Sequence, residues 1–189
     1  APHRAKLGLG CRKLGIRASA RGLGLGGGFG SVGRFAAENC GCSVVAVNLS
    51  SVQVTYARQF CRGLPVEIHH CDYRDVDAYA RGRRFDKIVS IAMFEAVGHR
   101  SHRRYMELVH QLLMDDGLWL LHTLGDRYCS SDPWMNRYIF PNGELPTLSQ
   151  INDAILGLFQ LEDVHNFGLD YCRTLEEWER NFRGGWQGI

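Results

Sequence analysis

Between Gly22 and Gly30 the chain reads GLGLGGGFG, six glycines in nine positions. Glycine loses more backbone freedom on ordering than any other residue, so such a run disfavours helix and strand interiors. It suits a tight turn that another molecule approaches closely at the main chain. The ARGLGL stretch leading in reads as a strand diluted by glycine. SVGRFAAENCG, leading out, has the spacing of a helix closed by Gly41. Strand, glycine turn and helix in that order open an α/β domain that binds a nucleotide or nucleoside.

The rest of the chain keeps the same rhythm. SVVAV (43–47) is a short apolar strand of the kind buried in a parallel sheet. SSVQVTYARQFCRG predicts a helix capped by Ser50 or Ser51, and PVEIHHC a third strand with Asp72 just beyond it. FDKIVSI (85–91) is a fourth strand. RSHRRYMELVHQLLMDDG is an amphipathic helix expected to run to Gly117, and LWLLHT (118–123) a fifth strand. Ahead of them all, AKLGLGCRKLGI has helical spacing weakened by Gly8 and Gly10. The 189 residues therefore predict a single domain, a Rossmann-like, doubly wound parallel sheet. Ligands of such sheets bind beyond the carboxyl ends of the strands. That points to Gly26–Gly30, Asn48–Ser50, Asp72–Tyr73, Met93–Glu95 and His122–Leu124.

Charge and cysteine usage narrow the classes further. A net charge of +2 gives no case for nucleic acid binding. The basic runs RGRR (81–84) and RSHRR (100–104) read as solvated faces, or as a patch for anionic membrane phosphates. Seven scattered cysteines, with C-x-C at Cys40 and Cys42, lack zinc-ligand spacing, so no metal is expected. They read as buried free thiols in a reducing cytoplasm. No apolar run approaches the roughly 20 residues needed to span a bilayer. The expectation is a cytoplasmic protein whose membrane contact, where it has any, is peripheral.

Two glycine templates fit the opening turn. Gly22, Gly24 and Gly27 match the dinucleotide pattern G-x-G-x-x-G. Gly26, Gly28 and Gly30 match the G-x-G-x-G of many S-adenosylmethionine-dependent methyltransferases. No Gly-Lys-Ser/Thr follows, which excludes a P-loop. Dinucleotide binding also asks for an acid about 20 residues on, for the ribose hydroxyls. Asn48 stands there instead, and its amide still hydrogen-bonds a ribose. A nicotinamide dehydrogenase therefore ranks last.

Longer segments are more specific. DYRD, FDKIVSIAMFEAVG, LLHTLG, DPWMNRYIFPNGELP and HNFGLDYCRTLEEW, in unbroken order, resemble the cyclopropane-fatty-acyl-phospholipid synthases and their mycolic acid relatives. The resemblance implies a methyltransferase fold, S-adenosylmethionine as methylene donor, a cis double bond in a phospholipid acyl chain as acceptor, and a bicarbonate ion as base. By position it assigns the cofactor to Gly24, Gly26, Gly28, Gly30, Asn48, Leu49, Gln53, Asp72 and Tyr73. It assigns the bicarbonate to Glu95, His122 and Tyr171, with the backbone of Leu124 beside them. Chemistry independently favours these residue types. An alkene is a weak nucleophile that must be aligned in a dry pocket. Aromatic faces such as Tyr171 or Phe94 stabilise a cation, and a base must then remove a proton from the added methyl. Trp134, Tyr138 and Phe140 either line an acyl tunnel or pack in the core.

The chain also departs from the pattern. Gly24 replaces an acid, Gly22 a β-branched residue, Ala96 a histidine and Val164 a tryptophan. The upstream cysteine-bearing segment and the later strands and acyl-site helices of the family are not in this sequence, so an incomplete sheet is expected. Three readings result: a cyclopropane synthase domain, a non-catalytic remnant that binds cofactor weakly or not at all, and a related methyltransferase with another acceptor.

Overall fold

A computed structural model describes residues 2–127, 132–141 and 143–186. The chain divides into two units, Ala1–Phe159 and Gln160–Ile189. In the first, helix α1 (Pro2–Lys13) precedes strand β1 (Arg21–Leu25). Then come α2 (Ser31–Cys40), β2 (Ser43–Asn48), α3 (Ser51–Phe60) and β3 (Val66–His70). Short α4 (Asp77–Ala80) leads to β4 (Phe85–Ile91), α5 (His102–Leu112) and β5 (Leu113–His122). Helices α6 (Pro133–Tyr138) and α7 (Leu148–Ile155) follow.

The five strands form one sheet in the order β3-β2-β1-β4-β5, with every pairing parallel. The order reverses at β1, so the crevice between the carboxyl ends of β1 and β4 is the topological switch point. Alternation along β1 sets the two layers. Leu23 and Leu25, each 1% exposed, face a core completed by Val45, Val47 and Ile88 with Tyr105, Met106 and Val109 of α5. Val44 and Ala46 of β2 face the other way, toward the side chains of α1, α2 and α3. Both faces being covered, the middle of β2 has to be apolar, as Val44–Val47 are.

Gly22 and Gly24 lie on that second face and leave the core thin. A cavity of about 50 Å³ runs beneath them, bordered by Leu7, Cys11, Ala36, Val44 and Ala46. Cys11 and Cys42 are buried there with free thiols, and burial together with neighbouring Cys40 pushes the Cys11 thiol up to about 12. A Cβ built on Gly22 meets nothing nearer than 3.7 Å. Gly22→Val is therefore expected to stabilise the protein by about 1 kcal/mol, by restoring strand propensity and filling space, read as a melting temperature about 2–4 °C higher. A lower melting temperature would mean the space is not available to a side chain.

Helix boundaries mostly follow local chemistry. Ser50 caps α3 by accepting from the Gln53 amide, and Gly41 ends α2 with φ +70°. One expectation is corrected. The helix expected to reach Gly117 stops at Leu112, and β5 begins at Leu113 instead of Leu118. Leu113 pairs with Phe85 and is buried, after which a bulge shifts the register so that Lys87 meets Leu118. The apolar spacing of this stretch is compatible with helix, but pairing with β4 overrides it.

The second unit, taken by itself, carries α8 (Gly168–Gly185). Its Arg180 and Arg183 pair with Glu177 and Glu179. Tyr171 packs edge-to-face on Trp178 at 6.1 Å. Among the described residues no helix is long and apolar enough to cross a membrane.

Candidate active site

At the switch point the main chain is bare. Gly26 has φ +71°, and a Cβ there would lie 2.9 Å from Met93 Cβ and Cγ. Only glycine satisfies both the left-handed backbone and that close approach. Gly30 caps α2 at φ +84°, where a Cβ would press on Cys61 and Ala57. Gly27 N–H donates to Val47 C=O (2.9 Å), which ties the turn to β2. Gly24 is buried within β1 itself, and a Cβ there would sit at an ordinary 3.5 Å from Ala46 Cβ.

The end of β2 braces the same turn. Asn48 Nδ2 donates to Gly28 C=O (3.3 Å) and to Gln53 Oε1 (2.7 Å). Hydrogen bonds thus join Gly28, Asn48 and Gln53. Leu49 beside them is 64% exposed, with its carbonyl 2.8 Å from His70 Nε2. Asp72 and Tyr73 follow β3. Both Asp72 oxygens are engaged by Arg74, through Nε (2.9 Å) and a terminal nitrogen (2.7 Å). That guanidinium holds the Asp72 carboxyl below the usual carboxylate range. Tyr73 is half-buried, edge-to-face on Tyr105 at 5.3 Å.

A second cluster lies at the ends of β4 and β5, which pair as far as Ile91 and His122. Ala92 N–H donates to His122 C=O (3.0 Å) from a left-handed conformation, φ +51°, that a non-glycine residue adopts only under strain. One 3₁₀ turn later Glu95 Oε1 accepts from the Leu124 amide (2.6 Å). Glu95 Oε2 and His122 Nδ1 are buried and have no hydrogen-bond partner. Burial, and secondarily the charge of Lys6, push the His122 pKa below its ordinary value, against the opposing charge of Glu95. The imidazole is therefore neutral near pH 7 and donates from one nitrogen only. Two buried polar atoms without partners, on the neighbouring loops after β4 and β5, leave an opening for a small polar ligand.

The remaining sequence expectations fare unevenly. Tyr171 belongs to the second unit, on α8, 42% exposed. Phe94 is fully buried, its ring against His102 (4.2 Å) and Tyr105 (5.3 Å), so its faces serve the core and not a cation. Trp134, Tyr138 and Phe140 are 59–61% exposed and are not core residues. Arg81–Arg84 are exposed, with Arg81 paired to Glu67 and Arg84 to Asp115, while His102 of the second basic run is buried. Met93, against Gly26, falls in the stretch after β4 that the strand order points to, whereas sequence reasoning does not single out Arg74 or Lys6 as neighbours of the site. Only Arg74 left a signal, two positions from the acid it engages.

Bare glycine main chain, braced by the Asn48 and Gln53 amides, thus stands at the switch point of a 3-2-1-4-5 sheet, where α/β domains bind their ligands. In class the molecule is an α/β methyltransferase domain. The chain belongs to the mycolic acid cyclopropane synthetase family, whose model matches residues 1–189. It is 41% identical over 189 residues to the cyclopropane-fatty-acyl-phospholipid synthase of Escherichia coli, covering 99% of this chain and 48% of that one. Identity to a probable fatty acid methyltransferase of Pseudomonas putida is 35% over 184 residues, 90% of this chain and 46% of the other. The chain thus spans about half the length of these relatives. The cyclopropane synthase MmaA2 from Mycobacterium tuberculosis superposes with a TM-score of 0.84 at 25% identity, over 96% of this chain and 69% of that one. Mycolic acid cyclopropane synthase CmaA1, complexed with SAH and CTAB, gives 0.86 at the same identity and coverage.

Proposed function

We propose that this chain forms the cofactor- and anion-binding portion of an S-adenosylmethionine-dependent lipid methyltransferase that adds a methylene across a cis double bond of a phospholipid acyl chain. The observation that carries the reading is the two partnerless atoms, Glu95 Oε2 and His122 Nδ1, on the loops after β4 and β5, of which β4 is the sheet neighbour of β1 and its glycine turn. In this reading the turn at Gly26, Gly28 and Gly30 receives the amino-acid half of the cofactor. Asn48, Gln53 and Leu49 meet its ribose, and Asp72 and Tyr73 its adenine. When bound, the cofactor supplies an electrophilic methyl on a sulfonium sulfur.

The residues of the second cluster handle the proton. Glu95 Oε2 is a free acceptor and neutral His122 a donor, a set that matches a small oxyanion bearing one hydroxyl, such as bicarbonate. Held between them, that anion is the base toward the added methyl. Leu124 fixes the other Glu95 oxygen and so sets the direction of the free one. Reaching an acyl chain requires peripheral contact with a bilayer, which this reading includes.

Calorimetric titration with S-adenosylmethionine tests the first half. Binding tighter than about millimolar, followed by a one-methylene mass gain in lipids of expressing cells, is the expected result. A flat trace would leave the non-catalytic remnant. Gly24 makes that reading specific, because an acid there would add a charge-assisted bond of about 1.5–3 kcal/mol. Gly24→Asp is accordingly expected to tighten cofactor binding by about 10–100-fold in the same titration. An unchanged dissociation constant would place the cofactor elsewhere.

A further inference from the structure

The run RYIFPNGELP has no part in the chemistry above, yet its end joins the two loops that carry that chemistry. Asn142 lies outside the described residues, and the segment resumes at Gly143. Glu144 N–H donates to Glu95 C=O (2.9 Å). Glu144 Oε2 accepts from the His99 amide (2.8 Å) and lies 2.8 Å from His99 Nδ1. One residue thus grips the turn at Glu95 and again at His99. Two positions on, Pro146 is fully buried, and its carbonyl accepts from the Asp126 amide (3.1 Å). The circuit closes where the Leu124 amide donates to Glu95 Oε1 (2.6 Å).

We infer that Glu144 is a positioning residue for Glu95, locking the turn after β4 against the loop after β5 so that one Glu95 oxygen stays on Leu124 and the other stays free. The inference rests on the reading of Glu95 as an anion ligand only for its functional consequence; the bond circuit stands apart from it. Global stability is a poor account of the arrangement. The Glu144 and His99 side chains are 44% and 53% exposed, and an ion pair that open contributes little. What the circuit does is fix direction, which is where a binding site is sensitive. The His99 amide first, and its ring second, hold the Glu144 carboxyl below the usual carboxylate range, so the acceptor is ionised at neutral pH.

The test is amide exchange of Leu124 in the isotopically labelled full chain, with Glu95→Ala as the reference for loss of the acceptor. Glu144→Ala is expected to speed Leu124 exchange about tenfold, on the order of a lost local bond, while core amides of β1 and β4 keep their protection. It should raise the half-saturating bicarbonate concentration by a similar factor and leave the S-adenosylmethionine affinity unchanged. Glu144→Gln, which still accepts from the His99 amide, should restore most of both. Unchanged Leu124 exchange in Glu144→Ala overturns the inference, as does an increase shared equally by the core amides. If Glu144→Ala does not fold, His99→Ala removes the ring contact and keeps the amide bond, so a smaller rise in Leu124 exchange is expected, and no rise overturns the inference. Faster Leu124 exchange in Glu144→Ala, together with normal turnover in a Glu95→Gln variant, would uphold the positioning and defeat the chemical role of Glu95.

Discussion

Glu95→Gln is expected to lower methylene transfer by about 10²–10⁴-fold, the range that a positioned proton-transfer apparatus contributes, with cofactor affinity within about twofold of the parent. The substitution is nearly isosteric. Its amide oxygen still accepts from Leu124, so the 2.6 Å bond that orients the side chain is kept and the fold has no reason to change. What changes is the partnerless second atom. An acceptor becomes an NH₂ donor, which no longer receives the hydroxyl of a bound oxyanion and sets a second donor beside His122. The loss should therefore fall on turnover and on the bicarbonate requirement, leaving the glycine turn untouched. Product mass gain in a lipid extract and calorimetry on the same preparation give the two readings. Turnover within about threefold of the parent would remove Glu95 from the proton pathway.

The two halves of the site differ in how openly the sequence displays them. Strand ends are legible: the runs that stop at Asn48 and His122 mark where parallel strands leave the sheet, and Asp72 follows two residues after the end of β3. Once the alternation is read as doubly wound, those positions converge by topology alone. The glycine turn is legible for a related reason, since its backbone angles exclude other residues. Contacts between loops are not legible. Glu144 and His99 are 45 positions apart, and no local periodicity links them. The β5 boundary failed for the same cause: Leu113 leaves the helix because Phe85, far back in the chain, offers it a strand partner. Phe94 reads as a face for a cation because a motif identifies neighbours in sequence, whereas its burial is settled by α5 packing across the turn. Tyr171 is different again: its motif is plain in the sequence, but it belongs to the second unit and not to the one that carries the sheet.

Phe94→Ala is expected to cost about 3–5 kcal/mol, a large share of the 5–15 kcal/mol that holds a typical domain, and to lower the melting temperature on the order of 10 °C. Phe94 is fully buried in a cluster with Leu23, Leu25, Ile88 and Met106, and it stacks on His102 while tilting against Tyr105. These neighbours come from β1, β4 and α5, elements already fixed by the sheet, so the space left by truncation cannot collapse cheaply. The effect should reach the site as well. Phe94 lies between Met93, whose side chain abuts Gly26, and Glu95, whose carboxylate orients on Leu124. Removing the ring frees the turn that carries both, so cofactor affinity and turnover should fall together, unlike the selective loss in Glu95→Gln. Phe94→Leu, which keeps most of the buried volume, should show a smaller fall in melting temperature and retain cofactor binding. Thermal melts and calorimetry on the three proteins separate the cases. A melting temperature for Phe94→Ala within about 2 °C of the parent would mean that the ring does not anchor this turn, and that Glu95 takes its direction from the loop bonds alone.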